Sequence, residues 1–205
     1  MNNNHSCFLL AGTLLLGAST TVFAVEVPAV SGPAFKIEAG EVLKSKRLRN
    51  GEEITVEATR LDEKTQKISR SNGCVTTNST EDRYGPNLSW EKCSDSRKWH
   101  SGKVTEFERE GALWPFKVGN KVKYTYTRED ANGKYYYGTK LSCEVAATET
   151  IQVAAGDFGT YRVDCKYPWA KRSYWYAPAV DRTVKFEEEH RRRGKTESEL
   201  VEIIR

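Results

Sequence analysis

Apolar and polar side chains alternate with a period of two through most of the chain after residue 50. Val122, Tyr124 and Tyr126 alternate with lysine and threonine, and Tyr161 and Val163 alternate with arginine and aspartate. Successive side chains of a β-strand point to opposite faces of the sheet, so this spacing is typical of a strand with one buried and one hydrated face. Because such half-buried strands belong to antiparallel sheets, the pattern predicts an all-β or mostly β protein.

Asn-Gly steps separate several of these segments, at Asn50-Gly51, Asn72-Gly73 and Asn132-Gly133. Both residue types tolerate the positive φ angles of a tight hairpin turn. From the turns and the alternating segments we predict about eight to ten strands. We expect them to form a single curved antiparallel sheet or an open or half β-barrel. Only residues 40–49 are compatible with a short helix.

Aromatic side chains are concentrated in the predicted strands. The candidates for ligand contact are Tyr124, Tyr126, Tyr135, Tyr137 and Trp175. Three consecutive tyrosines at 135–137 must place at least one ring on the outer face of a strand, where another element or a ligand covers it. One interpretation is an aromatic-lined concave surface that binds a lipid, an acyl chain or a glycan. The other is that these rings only cover the sheet.

The N-terminal segment has the pattern of a secretory signal peptide. Residues 8–16 form an apolar run that is too short to span a membrane, and Val22 and Ala24 occupy the small positions of a cleavage site. We therefore predict a signal peptide over 1–24 with cleavage after Ala24, although its N-terminal region carries no lysine or arginine. The alternative interpretation of the apolar run is a buried core helix.

The rest of the chain, 25–205, is predicted to be one β-rich periplasmic domain. Its length suits a single domain, and it contains no second apolar run, so we expect no transmembrane span. A lipoprotein is disfavoured because Cys7 precedes the apolar run instead of following it.

Four cysteines follow the predicted signal peptide: Cys74, Cys93, Cys143 and Cys165. An even number of cysteines in an oxidising compartment favours two disulfides, for which three connectivities can be drawn. We prefer the local pairing of Cys74 with Cys93 and of Cys143 with Cys165. Each bond would close a loop of about 20 residues and stabilise the fold by about 3 kcal/mol. The spacings do not match those of a zinc site.

The second pair requires an irregular hairpin. If the chain turns over residues 154–159, a regular register places Cys165 opposite Thr148 and not opposite Cys143. A β-bulge or bend near residues 146–147 would bring the two sulfurs together.

Charge is nearly balanced along the chain. There are 32 lysines and arginines against 28 aspartates and glutamates, for a net charge of +4. Nucleic-acid binding requires a larger and more clustered excess, so we expect no nucleic-acid partner. The three arginines Arg191, Arg192 and Arg193 follow three glutamates at 187–189. This run is either a solvated hairpin tip or a contact for anionic lipid or lipopolysaccharide headgroups.

Catalytic patterns are missing from the sequence. Only His100 and His190 follow the predicted signal peptide, and neither belongs to a metal-binding spacing. No nucleophile elbow, phosphate-binding loop or dinucleotide fingerprint is present. We therefore predict no catalytic residue, no metal and no cofactor. Carboxylate pairs are frequent, but sequence alone cannot select the pair that a glycosidase would need.

Four stretches in the C-terminal half carry a resemblance to a known group. They are Leu113–Asn120, Ala155–Cys165, Tyr174–Pro178 and Val184–Lys185. Over 113–205 the chain resembles a widespread set of uncharacterised exported proteobacterial β-domains with an "AGTF…YxV…WWYAP…VK" type of signature. The resemblance implies a curved sheet or open barrel in the periplasm, similar in architecture to half-barrel lipoprotein carriers and envelope-integrity proteins. It implies no activity, and fold alone does not define one.

Three functional hypotheses follow. The first is a non-enzymatic binding or envelope-maintenance protein that uses an aromatic-lined concave sheet. The second is an accessory or structural interaction module of an envelope complex. The third is a hydrolase of an envelope polymer, which would require two carboxylates in a cleft, one with a raised pKa.

Overall fold

The computed structural model describes residues 42–204, so the predicted signal peptide and its cleavage site lie outside the described residues. Within these residues the chain forms twelve β-strands and one short 3-10 turn. The strands are β1 (Val42–Arg49), β2 (Glu52–Arg60), β3 (Thr65–Arg70), β4 (Val75–Ser79), β5 (Ser89–Glu91), β6 (Ser101–Gly111), β7 (Lys121–Asp130), β8 (Tyr135–Val153), β9 (Gly156–Lys166), β10 (Ala170–Ala177), β11 (Arg182–His190) and β12 (Gly194–Ile204). The 3-10 turn, Pro178–Val180, connects β10 to β11.

Every strand pairs in antiparallel fashion with its neighbours in the sequence, and the sheet closes into a barrel. Closure is made by β1 and β12, which pair from Lys44 opposite Ile204 to Arg49 opposite Ser198. The prediction of an all-β antiparallel fold is confirmed, and over the described residues the sheet is a closed barrel of twelve strands instead of an open or half barrel of eight to ten. Closure removes both exposed sheet edges, which are a liability in an open sheet. It also requires residues 42–49 to be a strand, so the short helix considered for 40–49 is wrong over this part.

The predicted Asn-Gly turns are confirmed. Asn50 and Gly51 join β1 to β2 with φ angles of 49° and 87°, and Gly133 has a φ of 75° in the turn between β7 and β8. Positive φ is available to glycine and asparagine at low steric cost, so these residues place the turns where the alternation breaks.

Both disulfides form with the predicted pairing, Cys74–Cys93 and Cys143–Cys165. In the second pair Cys143 lies directly opposite Cys165 on neighbouring strands. The register shifts between Val145 and Ala147, and this irregularity is the predicted bulge near residues 146–147.

The turn between β8 and β9 is tighter than the sequence suggested. Val153 pairs with Gly156, so the connection is Ala154-Ala155 and not the whole of 154–159. Residues 156–159 therefore extend β9. The bulge at Ala146 then moves the register by one residue and brings the cysteines opposite each other.

Antiparallel meandering places alternate connections at opposite ends of the barrel. One end, called the mouth below, carries the connections after β1, β3, β5, β7, β9 and β11, which are residues 50–51, 71–74, 92–100, 131–134, 167–169 and 191–193. The opposite end carries residues 61–64, 80–88, 112–120, 154–155 and 178–181.

Two connections at the opposite end contribute to the main core. Tyr84 from one loop and Leu113 and Phe116 from another are 4–5% exposed and join the strand residues Tyr161 and Tyr176 in one buried cluster. Phe116 contacts the rings of Tyr84, Tyr161 and Tyr176. The aromatic rings of these loops therefore fill much of the core at this end beside a cavity of about 320 Å³, and a larger cavity lies at the mouth.

A second apolar cluster lies where the β8–β9 hairpin meets β12. The N–H of Ala155 donates to the carbonyl of Leu200 over 3.1 Å, which fixes the hairpin tip. Val153 and Trp175 are buried beside Leu200 in this cluster. Trp175 therefore belongs to the packing of the hairpin against the barrel.

Candidate functional site

The mouth contains a cavity of about 620 Å³, which we call the mouth cavity. Five aromatic residues contribute to its lining: Trp90, Trp99, Tyr126, Tyr167 and Trp169. They come from β5, β7 and two connections, so the cavity depends on the closed barrel bringing distant segments together.

Trp90 is held in place by the strand beside it. A Cβ atom on Gly102 would clash with the Trp90 ring and with the carbonyl of Glu129, so glycine lets the indole approach the backbone of β6. The indole N–H of Trp90 donates to the carbonyl of Trp99 over 3.1 Å, which ties β5 to the following loop. The aromatic side of the cavity is thus anchored by packing and by a hydrogen bond.

Five arginines also line the mouth cavity: Arg128, Arg172, Arg191, Arg192 and Arg193. Among the described residues that line it there is no aspartate or glutamate. Glu188, which is 10% exposed, accepts from Arg172 over 2.6 Å and lies 3.5 Å from Arg193. One carboxylate therefore serves two of the five arginines, and the cavity carries a net positive charge.

Arg128 is held by aromatic rings and not by a carboxylate. Its guanidinium carbon lies 4.3 Å from the ring centre of Trp99 and 4.2 Å from that of Trp169. Its buried Nε–H has no hydrogen-bond partner among the described residues. Burial lowers the pKa of Arg128, but a guanidinium stays protonated in proteins. The side chain is therefore a partly desolvated cation with unused donor capacity.

Hydrogen bonds shape the arginine turn at 191–193. The N–H of Arg191 donates to the carbonyl of Trp169 over 3.0 Å, joining two connections of the mouth. The Nδ1 atom of His190 accepts from the N–H groups of Arg192 and Arg193 over 3.1 and 3.2 Å. Burial and the nearby Arg193 lower the pKa of His190, which favours the neutral ring that can accept these bonds.

The structure brings Tyr126, Arg191, Arg192 and Arg193 together in the mouth cavity. Tyr124, which precedes Tyr126 by two residues in β7, lies outside the mouth cavity. Its hydroxyl donates to Asp82 over 2.9 Å beside a separate cavity of about 320 Å³ at the opposite end. Burial, followed by the charge of Asp82, raises the pKa of Tyr124.

The remaining predicted aromatics also lie outside the mouth cavity. Tyr135 and Tyr137 are 44% and 76% exposed, and their rings stack on each other at 6.1 Å. Trp175 is buried in the second apolar cluster, and its indole N–H donates to Glu149 over 2.9 Å. The five aromatic candidates therefore do not line one concave surface, because barrel closure and bulges place them in different environments.

The mouth cavity also contains Trp99, Arg128 and Arg172, which are not among the predicted site residues. The alternating sequence pattern does contain evidence that both arginines belong to the site. Arg128 continues the row that contains Tyr126, and Arg172 continues the row that contains Tyr174. A cation in an otherwise apolar row predicts either a paired charge or a polar cavity on that face.

Neither clustered metal ligands nor a long apolar helix occurs in the described part of the chain. Across 42–204, no group of three or more histidine, cysteine, aspartate or glutamate side chains is arranged to hold a metal ion. Within the same residues, no helix has both the length and the apolar character that crossing a membrane requires.

No protein-family model and no curated protein matches the chain. Among solved structures, the hypothetical lipoprotein YmcC from Escherichia coli is similar, with 13% identity and a TM-score of 0.46 over 80% of this chain and 85% of that one. A Bacteroides fragilis protein, described as exported and as having a YmcC-like fold, has 15% identity and a TM-score of 0.36. That match covers 87% of this chain and 100% of the other.

Proposed function

We propose that this protein is an extracytoplasmic, non-enzymatic binding protein that holds a lipid or glycan component of the cell envelope in the mouth cavity. The observation that carries the proposal is a cavity of about 620 Å³ in which aromatic rings and arginines converge. Binding sites for small molecules span about 300–1,000 Å³ and combine apolar walls with a few polar groups. The mouth cavity has this size and composition.

Two further features support the proposal. Tryptophan and tyrosine present flat apolar faces together with a polar edge, which suits sugar rings and lipid headgroups. The two disulfides are typical of proteins in an oxidising compartment such as the periplasm.

A hydrolase would need a different arrangement of side chains. Two carboxylates would have to face the reacting bond, one as acid and one as base or nucleophile. The mouth cavity has none among its described lining residues. The smaller cavity is lined by Glu81 and Asp82, which are adjacent in the sequence and on the same loop, and Asp82 is already hydrogen-bonded to Arg109 and Tyr124. The arrangement of charges therefore favours binding over hydrolysis.

Native mass spectrometry of the protein purified from the periplasm tests the proposal. We expect a bound lipid or glycan on the wild type and its loss from the Trp99→Ala/Trp169→Ala double variant. The matched control is Tyr135→Ser/Tyr137→Ser, which removes two aromatic rings that lie outside the cavity. No bound species on the wild type, or equal retention by the cavity variant, would contradict the proposal.

A second candidate, an accessory module of an envelope complex, is favoured by one observation. Tyr135 and Tyr137 form an exposed stacked pair on β8, and exposed aromatic pairs are frequent at protein interfaces. Under this candidate the Tyr135→Ser/Tyr137→Ser variant would lose a co-purifying partner that the cavity variant retains. Equal recovery of that partner with both variants would dismiss it.

A further inference from the structure

We propose that the mouth cavity selects a ligand that bears a phosphate group, and that Arg128 is the principal residue that binds the phosphate. This inference rests on the proposed function, because it concerns the same cavity, and it narrows the class of ligand. The observations that support it are the balance of charge in the cavity and the surroundings of Arg128.

Three of the five cavity arginines have no carboxylate partner within residues 42–204. Arg172 and Arg193 share Glu188. Among the described residues, no carboxylate lies within ion-pair distance of Arg128, Arg191 or Arg192. A phosphate monoester carries about −1.5 to −2 charges at neutral pH. Three uncompensated cations match such a group better than they match the single charge of a carboxylate.

The geometry of Arg128 suits an oxyanion. Indole rings of Trp99 and Trp169 cover the guanidinium and restrict its orientation. The N–H groups of a guanidinium lie in its plane and form a fork that matches two oxygens of a phosphate. One of them, the buried Nε–H, has no partner within the described chain, and an unmatched buried donor is costly. Because this Nε–H is closed to solvent, a phosphate in the cavity would accept from the terminal Nη groups of the fork, which have no hydrogen-bond partner within the described chain.

Arg191 and Arg192 complement this fixed cation from the turn between β11 and β12. Both are exposed, and their turn is anchored through the hydrogen bond from Arg191 to Trp169. Trp169 therefore contacts the guanidinium of Arg128 and also holds the turn that carries the other two free arginines. We expect Arg128 to make the largest contribution to the affinity for the phosphate, and Arg191 and Arg192 to add electrostatic attraction.

Phosphate esters in the envelope come from two sources, phospholipid headgroups and phosphorylated sugars. Titration followed by tryptophan fluorescence can separate them, since Trp90, Trp99 and Trp169 line the cavity. The probes are dihexanoyl phosphatidic acid and glucose 6-phosphate, which are both phosphate monoesters, with octyl glucoside and glucose as uncharged counterparts. We expect at least one phosphate probe to bind about tenfold or more tightly than its counterpart. The tighter phosphate probe identifies the source.

Variants assign the effect to Arg128. Arg128→Gln should weaken binding of the phosphate probe about tenfold or more, and Arg128→Lys should restore only part of it because lysine lacks the planar fork. The matched control is Arg97→Gln in the loop 92–100. Arg97 is exposed and is not among the residues that line the cavity, so this variant removes the same charge from outside it. If Arg128→Gln does not fold, Arg191→Gln/Arg192→Gln in the exposed turn should also weaken phosphate binding relative to Arg97→Gln.

The outcomes separate this inference from the proposed function. Equal loss with Arg97→Gln and Arg128→Gln, or wild-type phosphate binding by Arg128→Gln, would overturn the role of Arg128. Octyl glucoside could bind the wild type and Arg128→Gln equally, and the phosphate probes could bind no more tightly than their uncharged counterparts. This result would overturn phosphate selection but would agree with the proposed function. If no probe binds and no ligand co-purifies, both fail.

Discussion

Asp130, at the end of β7, shows how one side chain shapes the rim of the mouth. Its carboxylate accepts from the N–H groups of Asn132 and Lys134 over 2.9 and 3.1 Å and from the hydroxyl of Tyr136 over 3.0 Å. The Asn-Gly turn and the start of β8 are therefore anchored to one residue. Tyr136 in turn contacts the ring of Trp99, which lines the mouth cavity.

The acid sensitivity of this turn can be predicted from Asp130. Burial alone would raise the pKa of this carboxyl, but the hydrogen bonds from Lys134, Asn132 and Tyr136 outweigh it and lower the pKa below 3.8. A carboxyl with a lowered pKa in the folded state stabilises the fold above its unfolded pKa and loses that contribution as pH falls through the folded value. We expect Asp130→Asn to lower the urea concentration at which half of the protein is unfolded at neutral pH. We also expect this midpoint to fall less on acidification in the variant than in the wild type.

Urea unfolding at a series of pH values between neutral and about pH 3, below the ordinary aspartate pKa, measures this effect. Asp157→Asn is the control, because Asp157 is exposed at the start of β9. A variant Asp130→Asn with the same acid profile as the wild type would contradict the prediction.

The β8–β9 hairpin is the element on which the two apolar clusters depend. Before the bulge at Ala146, Cys143 and Val145 join the main core, and after it Val153 joins the second cluster. One inserted residue moves the odd-numbered positions from one face of the strand to the other. The same hairpin therefore packs on both clusters and carries the buried disulfide.

The two disulfides should differ in their contribution to stability. They close loops of similar length, with sequence separations of 19 and 22, so the entropic contribution is about 3 kcal/mol for each. Cys143 and Cys165 are 2% and 1% exposed in the main core, so replacing them with alanine also removes buried packing. We expect Cys143→Ala/Cys165→Ala to cost about 1 kcal/mol or more beyond Cys74→Ala/Cys93→Ala.

Chemical denaturation of the two double variants under identical conditions provides the comparison. Each serves as the control for the other, because each removes one bond and two sulfur atoms. Equal losses, or a larger loss with Cys74→Ala/Cys93→Ala, would show that loop closure dominates over packing.

At the scale of the whole molecule, the closing seam between β1 and β12 contains a partly buried arginine. Arg47 donates to the hydroxyl of Ser198 over 3.0 Å and to the carbonyl of Thr183 over 2.8 Å. Burial, then the nearby charges of Arg70 and Arg182, lowers the pKa of Arg47 to about 10. The side chain thus bridges β1 to β11 and β12 across the seam and remains charged at neutral pH.

Replacing Arg47 should weaken the barrel at its seam. Arg47→Gln leaves partly buried acceptors without their donor, so we expect a loss of about 1–3 kcal/mol in the free energy of unfolding. Lys44→Gln on the same strand is the control, because its ion pair with Glu57 is exposed and such pairs contribute about 0–1 kcal/mol. Hydrogen exchange of β1 and β12 locates the effect. Unchanged protection there would contradict the role assigned to Arg47.

Local sequence pattern predicted much of the fold. Alternation placed Tyr126 in a strand, Asn-Gly steps placed hairpin turns, and the cysteine register required a bulge near residue 146. The strand count was lower than observed because short strands such as β5, with three residues, contain too few positions to show a period. The apolar–polar alternation over residues 42–49 is too weak to predict a strand there, because β1 depends on its pairing with β12.

The sequence by itself determined that the chain is an antiparallel β protein, since period-two alternation and turn chemistry depend on neighbouring residues. Only the tertiary structure decided the members of the mouth cavity. Trp99, Arg128 and Trp169 are distant in sequence, and closure of the barrel brings their connections and strand to one end. Tyr137 has the same local aromatic character as Tyr126, yet the first is exposed and the second lines the cavity. The physical reason is that strand register and barrel closure, which are set by pairing across the whole sheet, decide which side chains meet.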